Sequence, residues 1–173
     1  MKSRALLYSM VAALAGLIIL ELWMRNSNDG ETDKEELAYA TSDDVELQAA
    51  FDQARSTLNY FFKTANNPPQ DTQGFSVKIA LSDENATEYF WVYPFSPEAE
   101  GFSGKIVAEP KLISNTFKGE IVQFRQEQIV DWTFEDNATE KMHGNFTACV
   151  ELARVAPENF EQFQKLYGLD CRK

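Results

Sequence analysis

Residues Ala5 to Met24 form an apolar run broken by a single acid, Glu21, and preceded by the basic start Met1-Lys2-Ser3-Arg4. The run has about the length that crosses a bilayer as a helix. It constrains everything behind it, because a chain anchored this way delivers its remaining residues to one compartment, where they alone build a water-facing body. Residues 1–25 are therefore read as an N-terminal signal anchor, a transmembrane helix with Trp23 suited to the interface and Glu21 placed to pair with Arg25. A cleavable signal peptide is the competing reading, since Ala13-Leu14-Ala15 before Gly16 has the small-residue pattern of a cleavage site. Cleavage there would leave Leu17 to Leu20 and Leu22-Trp23-Met24 exposed at a new N-terminus, which favours the uncleaved anchor. Lys2 and Arg4 outweigh Arg25, so the short tail is expected in the cytoplasm. The bulk of the chain then faces the periplasm or cell exterior from a single-pass position in the inner membrane.

The chain carries 16 basic and 27 acidic side chains, a net charge of −11. Lys2, Arg4 and Arg25 against Glu21 leave the anchor region with a surplus of two, so the rest stands two lower, at −13. Such a surface repels polyphosphate backbones and anionic headgroups, and no basic stripe offsets it, so nucleic acid is set aside as a partner. Residues 26–42 are polar and acidic without an apolar period and read as a flexible tether, holding the C-terminal domain on the order of 20–25 Å from the membrane. Residues 43–173 suffice for one domain with its own core. Cys149 and Cys171 are an even count in an oxidising compartment, where a disulfide is the expected state and two unrelated thiols the alternative. The bond would pin the C-terminal helix to the last strand.

Leu47, Phe51, Ala54, Leu58, Phe61 and Ala65 recur at gaps of four and three, predicting one long helix with a single apolar stripe, started by Ser42 or Asp43 and ended by Pro68-Pro69. From Gly74 the period changes to two. Phe75, Val77, Ile79 and Leu81 point one way, and Ser76, Lys78 and Ala80 the other. Asp83-Glu84-Asn85 reads as the turn into Glu88 to Tyr93, a central strand with both faces apolar or aromatic. Further strands are predicted at Phe102–Ala108, Ile121–Arg125, Ile129–Phe134 and Phe146–Leu152. Pro157 then starts a short helix with Phe160, Phe163 and Tyr167 as its buried stripe, stopped at Gly168. Strands joined by short polar turns must pair antiparallel. The expected fold class is α+β: a curled antiparallel sheet of five to six strands, a long N-terminal helix on it and a short C-terminal helix.

Chemistry is sparse. The single histidine, His143, sits in what reads as a hairpin turn, and a triad of Ser103, His143 and Asp131 has only composition behind it. No metal-ligand spacing, phosphate loop or dinucleotide fingerprint is present, so neither metal nor cofactor is expected. Asp131, mid-strand beside Trp132, and Glu88, opening the aromatic strand, are the candidate catalytic carboxylates. Their plainer reading is a structural hydrogen bond. Tyr89, Trp91 and Tyr93 share a sheet face, with Trp132 expected nearby. Exposed, these rings would make a stacking platform for sugar rings or a peptide strand; buried, they are core, the commoner state. Lys78 and Arg125 are candidates for holding an anionic group.

The segments Phe75-Ser76-Val77-Lys78, Glu88-Tyr89-Phe90-Trp91-Val92, Gly104-Lys105-Ile106, Gly119-Glu120-Ile121-Val122 and Ile129-Val130-Asp131-Trp132, closed by Gly144 and Thr147, resemble the YegJ-like proteins, a bacterial domain of unknown function. The resemblance spans about residues 72–150. It implies a compact bacterial domain and brings no catalytic residue with it; where the family often has histidine, this chain has Tyr89. It also makes the anchor a cell-envelope anchor. Two functions arise as expectations: a non-catalytic module binding an envelope protein or polymer, or a small carboxylate-dependent hydrolase acting on cell-wall or glycan material.

Overall fold

The structure, a computed structural model, describes residues 44–171; the anticipated transmembrane segment (1–25) and tether (26–42) lie outside them. Among the described residues, no helix is long and apolar enough to cross a membrane.

The predicted long helix is two helices, α1 (Val45–Ser56) and α2 (Leu58–Asn66), separated at Thr57. Asp44, rather than Ser42 or Asp43, caps the start, accepting from the Leu47 amide at 3.1 Å. The stripe is real: Leu47, Phe51, Ala54, Leu58 and Phe61 are all buried, and Ala65 is half-buried. The break has a cause in side-chain hydrogen bonds. The Thr57 hydroxyl donates to the carbonyls of Gln53 and Ala54, and the Trp132 indole N–H donates to the Ala54 carbonyl and to the Thr57 hydroxyl at 3.1 and 3.0 Å. Side-chain donors thus take over acceptors at the helix end, and the axis changes there.

Six antiparallel strands come next: β1 (Thr72–Ser82), β2 (Thr87–Glu98), β3 (Gly101–Ile106), β4 (Ile121–Phe124), β5 (Ile129–Asp136) and β6 (Lys141–Gly144). Their order in the sheet is β4-β3-β2-β1-β5-β6. Register divides the residues cleanly between faces. Val77 pairs with Val92 and Trp132, and Ile79 with Phe90, on the core face. Lys78 pairs with Trp91 and Asp131 on the other. Val130 is an extra residue in β5, inserted between the pairs Lys78–Asp131 and Ile79–Ile129.

The core face carries Val77, Ile79, Phe90, Val92, Ile106, Trp132 and Phe134, closed by Ala54, Leu58 and Phe61. Phe61 lies between Trp132 and Phe95, with ring centroids 5.2 and 6.0 Å away. On the opposite face Phe51 meets Tyr89 at 5.0 Å. The two halves of the helical stripe therefore serve different faces, which is what the break at Thr57 permits.

One predicted strand is a helix. Phe146–Val155 forms α3, which packs with α1. Its β-branched and aromatic start read as strand, but β6 ends in a left-handed pair, Gly144 (φ +78°) and Asn145 (φ +58°), that turns the chain away from the sheet. A Cβ on Gly144 would fall 1.9 Å from the Trp132 carbonyl oxygen, so only glycine fits. After a 3-10 turn with Pro157 in its first turn comes α4 (Phe160–Leu166), whose Phe160, Phe163 and Tyr167 are half-buried rather than core. Gly168, at φ +64°, ends it.

The disulfide Cys149–Cys171 is formed, and it ties the end of the chain to helix α3 instead of to a strand. The same terminal segment covers the β6 edge: the Met142 amide donates to the Gly168 carbonyl at 2.9 Å, and Met142 bridges Leu169 in parallel. Closing a loop of 22 residues is worth about 3 kcal/mol on the chain-entropy model. Replacing both cysteines by serine is expected to lower the melting temperature by roughly 10 °C, checked by calorimetry. Reductant should reproduce the change in the native protein and leave the double variant unaffected.

Arg154 on α3 clamps the start of α1, donating to Asp44 and to Glu46 at 2.7 and 3.0 Å. Its guanidinium, with the Leu47 amide, holds the Asp44 carboxyl at about 2, against an ordinary 3.8. A depressed folded-state value means stability present above the ordinary value and lost as pH falls toward the depressed one. Asp44→Asn is therefore expected to melt below the native protein at neutral pH. The gap should close between pH 4 and 2 when melting is followed against pH.

Candidate functional site

The face of the sheet opposite the main core carries Ser76, Lys78 and Ala80 on β1, Tyr89, Trp91 and Tyr93 on β2, and Asp131 and Thr133 on β5. Lys78, Trp91, Asp131 and Thr133 come together around the start of α3. The Asp131 carboxylate, wholly buried, accepts four hydrogen bonds: from the Trp132 and Phe146 amides at 2.8 and 3.3 Å, and from the Thr147 amide and hydroxyl at 2.8 and 2.7 Å. Phe146 and Thr147 are the first two residues of α3, so Asp131 caps the helix from a neighbouring strand, with its negative charge at the positive end of the dipole. Lys78, only 8% exposed, donates to the Thr147 hydroxyl at 3.1 Å and to Glu151 at 2.9 Å, with its ammonium 5.8 Å from the Trp91 ring centre. One helical turn separates Thr147 from Glu151, which puts both on the face that Lys78 reaches. Asn145 completes the corner by donating from its amide to the Thr133 hydroxyl at 2.6 Å.

Burial pushes the Asp131 carboxyl above its ordinary value, while the Thr147 hydroxyl and amide and the Lys78 charge pull it back. Burial likewise raises the Tyr89 phenol. Lys78, Thr147 and Asp131 thus form a closed chain of acceptors and donors with no orphaned polar side-chain atom among the described residues. Its geometry supports a fixed joint between sheet and helix.

The other candidates separate. Glu88 pairs with Leu81, which places it on the core face, opposite to Asp131. Its carboxylate accepts from the Lys111, Leu112 and Ile113 amides at 2.9–3.3 Å and so pins the segment between β3 and β4. The two carboxylates share no cleft: they lie on opposite faces and each binds main chain. Trp132 is buried on the core face and does not join Trp91. Of the two candidate cations, only Lys78 reaches Asp131's partners; Arg125 is exposed beyond β4, its amide bonded to the Gln128 side chain. Ser103 on β3 bonds Glu98, whereas His143 on β6 stacks on Phe134, so no triad with Asp131 assembles. His143 is also a strand residue, not a turn residue.

What remains of the aromatic strand is graded. Tyr89 and Trp91 are half-buried, and Tyr93 is 50% exposed. Beyond Tyr93, the same face continues over Lys105 on β3 and its cross-strand partner Ile121, which is 71% exposed. Thr147, Glu151, Gly144 and Asn145 were not expected as parts of a site. The signal for Thr147 and Glu151 was their spacing of four, which sets two residues on one side of a helix and equally of a strand.

The family described as "Uncharacterized protein conserved in bacteria (DUF2314)" matches residues 44–171. The chain belongs to this family. The match runs wider than the motif-bearing residues 72–150, because it takes in α1 and the disulfide-closed C-terminal end. Within DUF2314, the chain is similar to the "Uncharacterized protein YegJ" of Escherichia coli (strain K12), at 28% identity over 101 residues, covering 58% of this chain and 63% of that protein. The aligned part is thus under two thirds of the relative's length. No solved structure matches the chain.

Asp131→Asn tests the joint. A carboxamide offers one acceptor oxygen where the carboxylate offered two to four donors, so urea unfolding is expected to show a loss of about 2–3 kcal/mol. Lys78→Met in the same background should cost less than it does alone, since the two share Thr147.

Proposed function

We propose that this DUF2314 chain is a membrane-tethered, extracytoplasmic and non-catalytic binding module of the bacterial cell envelope. The observation that carries the reading is the division of the outer sheet face. Over β1 and β5 it is closed by α1 and α3 around a satisfied Lys78–Thr147–Asp131 joint. Past Trp91 on β2, and over β3 and β4, it stays open, with Tyr93, Lys105 and Ile121 at the surface. An apolar and aromatic strip beside a rigid joint suits recognition, because the rings are held in place before a ligand arrives. Placement outside the cytoplasm is supported by the apolar leader at residues 5–24 and by the Cys149–Cys171 bond, which persists in oxidising compartments. A hydrolase working through Asp131 and Glu88 has no support in this geometry, since the pair is split across the sheet.

Two measurements on the full-length chain test the reading. Thiol alkylation in intact cells is expected to leave Cys149 and Cys171 unmodified until reductant is added; free thiols in a cytosolic fraction overturn the location. Saturable association with purified cell-wall sacculi or a cross-linked envelope protein is expected to weaken about tenfold in Tyr93→Ala combined with Ile121→Ser. Unchanged association overturns the surface.

A further inference from the structure

The two edges of the sheet are treated differently. β6 is covered by the chain's own C-terminal segment through Met142, Gly168 and Leu169. β4 ends the sheet on the other side, and among the described residues no strand pairs with its outer edge. The direction of its free groups is set by the ladder. The Ile106 amide donates to the Glu120 carbonyl, and Gly104 faces Val122 two residues further along, so Val122 bonds inward. Ile121 and Gln123 therefore turn their amides and carbonyls outward. Edge strands are commonly guarded by charge, proline or a covering element. Ile121-Val122-Gln123-Phe124 has neither charge nor proline.

The surroundings carry a charge preference. In a chain of net charge −11, residues 101–125 hold Lys105, Lys111, Lys118 and Arg125 against Glu109 and Glu120, a local excess of base. Lys105 lies opposite Ile121, Lys118 stands in the turn before β4, and Arg125 comes directly after it. Phe117, 62% exposed, adds apolar surface at the same end as Ile121. We infer that the outer edge of β4 accepts an extended acidic peptide as a seventh strand, main-chain bonds being made to Ile121 and Gln123 and carboxylates lying near Lys105, Lys118 and Arg125. This rests on the binding-module reading and names the chemistry of its partner.

The test uses the full-length chain in mild detergent and two fluorescent ten-residue peptides, one alternating valine with glutamate and the other valine with lysine. Anisotropy is expected to show saturable binding of the glutamate peptide, weakening with salt, and none of the lysine peptide. Lys105→Glu with Lys118→Glu, both surface changes, should weaken binding roughly tenfold. Gln123→Pro, with its fold checked by circular dichroism, should abolish it by removing an outward amide. Absent binding, equal binding of both peptides, or binding indifferent to the lysine changes overturns the inference. Gln162→Ala, exposed on α4 and away from both the sheet face and the edge, is expected to leave peptide binding intact; the location and the association with sacculi are read separately, so failure of the edge is distinguishable from failure of the module.

Discussion

The buried Asp131 carboxylate organises this domain. It sits in the middle of β5 with no exposure to solvent and spends its acceptor capacity on the first amides of α3, the Thr147 hydroxyl and its own neighbour Trp132. A charge so placed is costly unless every lone pair finds a donor and a cation stands near. Lys78 supplies the cation through Thr147, and Glu151 in turn balances Lys78. Moving the Thr147 hydroxyl or the first amides of α3 away would leave the carboxylate short of donors and out of reach of water, which fixes where the helix starts. The Gly144–Asn145 corner, which only a residue without Cβ can begin, brings the helix to that point.

That joint explains the shape of the candidate surface. With α3 fixed over β1 and β5 and α1 clamped to α3 by Arg154, one half of the outer face is closed, and the strands beyond it are left bare. Residues that look catalytic in isolation, an aspartate beside a tryptophan and a glutamate opening an aromatic strand, are used as acceptors for main-chain amides. The resemblance to a bacterial family gathers on this joint: Lys78, Trp91, Asp131, Gly144 and Thr147 belong to motifs scattered over about 70 residues of sequence and meet within one corner of the fold. What these positions share is architecture, and the candidate binding surface lies beside them.

Much of the plan was legible in order. Alternation in Phe75 to Leu81 and the turn at Asp83-Glu84-Asn85 placed the first hairpin, and the stripe from Leu47 to Phe61 placed the helical layer. The helix break at Thr57 was not legible, because its cause is the indole of Trp132, 75 residues away. Nor could local pattern show that Phe146 opens a helix and not a strand: a spacing of four keeps Thr147 and Glu151 on one side in either conformation, and the choice is made by a cap that Asp131 provides from another strand.

Composition and period determined the acidic character, the antiparallel class, the pairing partners available to two cysteines and the core-facing residues of the N-terminal helical stripe and of β1, since these depend on properties carried within a few positions of the chain. Tertiary structure alone decided which face each polar residue occupies and what it meets there. Asp131 and Glu88 differ by nothing local that would send one beneath a helix and the other to a loop; sheet register does so, because a shift of one residue exchanges the faces and only the folded ladder sets the count.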